Sequence, residues 1–218
     1  MTPNYDAAAT AASEILIKHA ICATPIDPMP ILKSLPGVLV VSFAEMAFQL
    51  SHDRQSIITT MGENQDAVTS VKLVRDNLHY IVAYNQRLPF YMLQRAIARE
   101  LAHIVLHHDG SRPNDVRQAE AMTFAHHLLC PRSVIKAIQD AGITITIEKL
   151  GCITGCYERC LISMRKIPAC HVPSSLNLRL KAQFSDYIDN FVNFISILPK
   201  DDDSTVADFG TFMEGYEE

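Results

Sequence analysis

The stretch Arg99-Glu100-Leu101-Ala102-His103-Ile104-Val105-Leu106-His107-His108 decides how the rest of the chain is read. It departs at one position from the HExxH pattern. There, two histidines four residues apart share a helix face and grip a metal, while the glutamate after the first polarises the metal-bound water. Arg99 stands in the first histidine's place. A guanidinium is cationic at any working pH and has no lone pair for a metal, so the replacement removes a ligand and sets a like charge beside the cation. Leu93, Ala96, Ile97, Leu101, Ile104 and Val105 recur at helical spacing after Pro89, which predicts one amphipathic helix over residues 91–107 carrying the motif.

On the C-terminal side, Asp109-Gly110-Ser111-Arg112-Pro113-Asn114 is a breaker cluster; Asn114 or Asp115 then caps a second helix that runs to Cys130 and stops at Pro131. On the N-terminal side the chain reads as a small sheet, with strands over residues 38–43, 56–61, 67–75 and 78–83, the last two forming a hairpin across Asp76-Asn77. A first helix runs from Asn4, its cap, to about residue 23, before Pro25, Pro28 and Pro30 break it and Leu35-Pro36-Gly37 turns into the sheet. Further short helices are expected over 133–140, 147–151 and 157–166, and a longer one from Ser174 or Ser175 through residue 198. The acidic tail from Lys200 is expected to be flexible.

With 218 residues, 48% of them hydrophobic, the chain is long and apolar enough for a packed core. A net charge of -5 without a long basic run disfavours direct nucleic-acid binding and attraction to a membrane surface. No N-terminal leader and no apolar run of roughly 18 to 20 residues is present, so a soluble cytoplasmic protein is expected. In that reducing compartment the six cysteines are expected to be free thiols.

The two helices together resemble the ImmA/IrrE-type metallopeptidase family, whose signature is HELGH, a short loop, and a helix of E-A-N-x-F-A-x-x-L-L-x-P pattern. Glu100, Leu101, His103 and Leu106 match the first half, and Glu120, Ala121, Phe124, Ala125, Leu128, Leu129 and Pro131 match the second. The resemblance is strong over residues 80–135. It implies an α+β, minimal zincin-like domain over residues 1–135: a small, mostly antiparallel sheet packed on the active-site helix pair. A helical C-terminal region, helix-turn-helix-like plus a long helix, follows over 136–199, and then the tail over 200–218. It implies zinc on His103 and Glu120, with Glu100 as the general base and Arg99 replacing the other ligand. Ala102 for the usual glycine is a mild change, whereas Met122 for the usual asparagine removes a polar group. The activity implied is that of a cytosolic zinc metallopeptidase, often of phage or mobile elements, that cleaves a DNA-bound repressor and so regulates transcription.

With Arg99 in place only two of three protein ligands remain, and the leading expectation is a metal-free site in which Arg99 pairs with Glu100 or Glu120. One alternative moves the site down a turn: His107 lies four residues beyond His103, although no glutamate follows His103 and Glu120 would have to reach about 6 Å along the axis. Another is a binding module that holds a peptide or protein without cutting it. His108 is read as a helix-end histidine near terminal carbonyls, and of His126 and His127 at least one is expected to face away from the core. Cys152, Cys156 and Cys160, spaced by four, match no zinc-site spacing and read as a packed stripe, interrupted at Gly155. The region around them suits a protein partner or self-association better than DNA, since only Arg159, Arg165 and Lys166 lie nearby.

Overall fold

The computed structural model describes residues 1–49, 66–75, 77–108, 110–156, 161 and 168–197. Helix α1 (Tyr5–Lys18) opens with the Asn4 side chain accepting the Ala7 N–H at 3.0 Å. It ends earlier than the sequence suggests. Ala20 takes a left-handed φ of 51° and the Ile21 N–H turns back to the Leu16 carbonyl at 3.0 Å.

Of the three prolines read as breakers, Pro25 lies between helices, but Pro28 and Pro30 sit in the first turn of a helix, α2 (Pro28–Ser34), capped by Asp27 on the Met29 N–H. In the first turn a proline loses no hydrogen bond, because that N–H has no intrahelical partner. Gly37, at φ 74°, makes the turn into β1 (Val38–Ser42); a side chain there would press its Cβ to 2.9 Å from the Leu78 carbonyl oxygen.

Where the strand reading continues to residue 43, the chain becomes helix α3 (Phe43–Gln49). Ser42 and Glu45 form a reciprocal capping box: the Ser42 N–H donates to Glu45 Oε2 at 2.6 Å and the Glu45 N–H to Ser42 Oγ at 3.1 Å. Strands β2 (Ala67–Val74) and β3 (Asn77–Tyr84) pair antiparallel from Ala67↔Tyr84 to Val74↔Asn77. β1 pairs parallel with β3, from Val38↔Tyr80 to Ser42↔Tyr84, in the order β1-β3-β2. The sheet is therefore mixed rather than mostly antiparallel, because β1 leaves through a helix and not through a hairpin. The strand expected over 56–61 lies outside the described residues.

The helices that follow are α4 (Phe90–Val105), α5 (Asn114–Leu129), α6 (Arg132–Asp140), α7 (Ile147–Thr154), α8 (Ser174–Gln183) and α9 (Ser185–Ile197). α5 and α8 start directly after Pro113 and Pro173 without a side-chain cap, so Asn114 and Ser174 stand one position inside their helices. The long C-terminal helix is interrupted only at Phe184, across which the hydrogen bonds Phe184 N to Leu180 O and Ile188 N to Phe184 O continue at 2.9 Å. The helix expected over 157–166 and the acidic tail lie outside the described residues, apart from Leu161. Among the described residues no helix is long and apolar enough to cross a membrane.

α5 packs between α1 and α4 and is buried nearly all round, with Ala121, Phe124, Ala125, Leu128 and Leu129 in the core. One cluster of buried side chains runs from Ala8 and Leu16 through Ile97, Leu101 and Phe124 to Phe184 and Ile188, and so holds the C-terminal helices against the first two-thirds of the chain. Burying Phe124 or Leu128 removes enough apolar surface to stabilise the fold by roughly 2 to 3 kcal/mol each. The cysteine stripe does not form as read. Gly155 ends α7 at φ 68°, Cys156 is buried, Cys152 is exposed and Cys160 lies outside the described residues. Cys22, Cys130, Cys152, Cys156 and Cys170 are free thiols.

Candidate functional site

The apolar stripe of α4 turns Ala96, Ile97, Leu101 and Ile104 into the core and leaves Arg99 and His103, one turn apart, half-buried along a cleft beneath the sheet. The cleft has a volume of about 520 Å³, and β2 forms one wall. From that wall Thr69 donates its hydroxyl to Glu100 Oε2 at 2.6 Å. Glu100 is buried, and burial raises its pKa above the ordinary carboxylate value; the Thr69 hydrogen bond and the Arg99 charge oppose this and are outweighed.

The end of α4 creates an arrangement that residue spacing did not reveal. His107 adopts φ 51°; its N–H returns to the Ile104 carbonyl at 3.1 Å and the His108 N–H to the His103 carbonyl at 2.9 Å. This pair of bonds is a Schellman turn, which folds the second residue past the helix end back over the last turn. His108 thereby lies against His103, with ring centroids 5.0 Å apart, edge to face, and the two Nδ1 atoms 2.8 Å apart. Its Nε2 is 2.9 Å from Glu120 Oε2, and none of its side chain is exposed. With the His108 Nε2–H donated to the carboxylate, its neutral ring accepts at Nδ1 from the His103 Nδ1–H. Burial holds both imidazoles below their usual pKa. His103 is lowered to about 4, mainly by burial, with further effect from His108, Arg99 and Arg117; for His108 the Glu120 carboxylate partly opposes the shift.

Glu120 is occupied on both oxygens. Oε1 accepts the Asn4 N–H at 2.8 Å and Arg112 Nη1 at 3.3 Å, while Oε2 accepts from His108 and from Arg112 Nη1 at 3.1 Å. Arg99 pairs with neither Glu120 nor Glu100, contrary to expectation: its Nη2 donates to Gln118 Oε1 at 2.7 Å, and the cation on Glu120 is Arg112. His107 lines the same cleft, but among the described residues no hydrogen bond joins it to His103 or Glu120. Met122 faces Arg95, whose Nη2 lies 3.6 Å from its sulfur.

His126 and His127 are both buried, so neither faces outward as expected, since α5 has no solvent face at that level. Burial pushes His127 down to about 3 and His126 well below its usual value.

These residues do not fit a tetrahedral zinc site. A carboxylate offers about four lone-pair positions, and all the contacts just described fall on Glu120. The imidazole of His108 bridges the two expected ligands, Arg99 contributes a charge in place of a lone pair, and one ring nitrogen of His103 stays outside these bonds. No group of three or more His, Cys, Asp or Glu side chains among the described residues is arranged to hold a metal ion.

His108 and Arg112 are the residues in contact with the expected ligands that motif reading missed. The signal for His108 was its place five residues after His103, where a Schellman turn sets its contact, but a histidine in the left-handed position gives no glycine to mark that turn. Arg112 lay in a segment read only for its Gly, Ser and Pro content.

Residues 54–150 match the family model for the IrrE N-terminal-like domain (Peptidase_M78), a span that includes Arg99, Glu100, His103, His108, Arg112 and Glu120. No curated protein and no solved structure matches the chain. Helix α1, which supplies the Asn4 N–H to Glu120, lies outside the matched span. The α+β fold and the helix pair agree with this match, which makes residues 54–150 similar to the IrrE N-terminal-like domain.

Proposed function

We propose that the protein is a phage or mobile-element-type, cytoplasmic regulator of the ImmA/IrrE group. It holds a segment of a repressor-type partner in the cleft but has lost efficient hydrolysis. The observation that carries this reading is the hydrogen-bonded chain His103–His108–Glu120–Arg112, which engages both oxygens of Glu120 and one ring nitrogen of His103, while Arg99 stands in the missing ligand's place. A zinc peptidase needs a Lewis acid and a base acting on one water. Here Glu100 remains in position, with burial raising its pKa and the Thr69 hydroxyl bonded to one of its oxygens, but without a Lewis acid beside it there is no activated water for it to deprotonate.

A cleft of about 520 Å³ walled by strand β2 suits an extended peptide segment, which supports retained binding. The test is incubation of the purified chain, with and without added zinc, with a repressor encoded beside its gene. The expected result is binding without cleavage. Zinc-dependent cleavage that disappears in Glu100→Gln would overturn the reading and favour the shifted ligand set His103, His107 and Glu120.

A further inference from the structure

We infer that the cleft is an oxyanion site in which the guanidiniums of Arg99 and Arg117 grip a carboxylate or phosphoryl group of the ligand. The inference rests on the reading of the cleft as a ligand groove and adds what part of the ligand enters it. Both side chains line the cleft from facing helices, α4 and α5. The Nε atom of each is buried with no hydrogen-bond partner among the described residues. Arg99 uses Nη2 on the neutral Gln118, and Arg117 uses Nη2 on Asn114 at a long 3.4 Å. Neither lies within salt-bridge distance of a carboxylate among the described residues, in contrast to Arg112, which is paired with Glu120.

A guanidinium carries five N–H donors in a planar fork, so most of the donors on these two groups remain for a ligand. A half-buried guanidinium whose buried Nε–H lacks a partner is incompletely satisfied, and an arriving anion can complete it with short, charge-assisted and often bidentate bonds. The surroundings leave the positive charge uncompensated. Glu120 is committed to Arg112 and His108, and the carboxylates on the lining, Asp66 and Glu100, form no ion pair with either guanidinium among the described residues. Arg99 thus replaces the electrophile of a metal site with a fixed organic cation that binds the same class of oxygen atom and cannot activate water.

The test uses the full chain in isothermal titration and thermal melting. The ligands are inorganic phosphate, a short peptide with a free C-terminal carboxylate, and the same peptide as its amide, all against chloride at equal ionic strength. Phosphate or the free-acid peptide is expected to bind saturably, with affinity reduced about tenfold or more in Arg99→Gln and in Arg117→Gln, the loss expected when a charge-assisted pair is removed. Arg87→Gln, at an exposed position away from the cleft, should leave it unchanged. Arg99→Lys keeps the charge without the fork and is expected to fall between. Preference for the free acid over the amide identifies a peptide carboxylate; binding of phosphate with no such preference identifies a phosphoryl group. Far-ultraviolet circular dichroism of each variant separates loss of binding from loss of fold. If a variant unfolds, competition by phosphate against the peptide on the wild-type chain takes its place. Absence of saturable binding, or equal binding by wild type and both arginine variants, overturns the inference. A repressor partner that binds wild type and Arg99→Gln alike sinks the oxyanion site but leaves the groove reading standing. Anion binding with no partner binding does the reverse.

Discussion

At the scale of single residues, one substitution has effects that depend on its neighbours. Arg99 removes a ligand, but the loss is completed by His108 and Arg112, which occupy what the first substitution left unmatched on His103 and Glu120. The buried histidines of α5 make a separate prediction. The pKa of His127 is lowered to about 3 by burial first and by the Arg132 charge second, against about 6.5 in the unfolded chain. Its folded pKa lies below the unfolded one, so between the two values the unfolded state binds more protons. The associated stability is complete above pH 6.5 and is lost as the pH falls toward 3. His127→Leu, which cannot titrate, should reduce by roughly 2 to 3 kcal/mol the stability lost between neutral pH and a pH of about 4.5, as read by urea unfolding at both. An unchanged difference would mean that His127 is solvated. Motif spacing located Arg99, Glu100, His103 and Glu120 because a helix has a fixed period. It passed over His108 and Arg112 because their places depend on a turn and on a loop, where spacing carries no period.

At the scale of elements, the Schellman turn that closes α4 positions the site, and it does so with a non-glycine residue in the left-handed region. His107→Gly should keep the turn and stabilise the protein by about 1 kcal/mol, because glycine adopts that φ without the Cβ clash. His107→Val should destabilise it and loosen the contact between His103 and His108. Chemical denaturation reads the first effect, and histidine ring proton shifts read the second; equal stability of all three chains would deny the turn its role. Helix α5 carries the other element-level load. Phe124→Ala removes a fully buried ring at the meeting of α1, α4 and α5 and is expected to cost about 3 to 5 kcal/mol in unfolding free energy. The helix pair was legible because α4 has a clear apolar stripe and Pro89 and Pro113 mark its start and that of α5. Helices α2 and α3 were not. The prolines of α2 sit in the one turn that tolerates them, and α3 is announced only by the Ser42/Glu45 capping box inside a run of β-forming residues.

At the scale of the molecule, α1 closes over the helix pair and places the Asn4 N–H on Glu120, so a segment outside the matched domain completes the site's hydrogen bonding. The fold class was readable because α+β composition follows from where period-two and period-3.6 segments lie. The parallel pairing of β1 was not, since it depends on a crossover that local pattern does not encode. Taken together, the side chains at the centre of the fold form a hydrogen-bond network with arginines on its rim.

The most direct measurement is the zinc content of the purified chain after loading and exhaustive dialysis, with Arg99→His run beside it. Wild type is expected to retain well below stoichiometric zinc, and Arg99→His, which returns an imidazole to the vacant ligand position, to retain more. Stoichiometric zinc held by the wild-type chain would contradict the account.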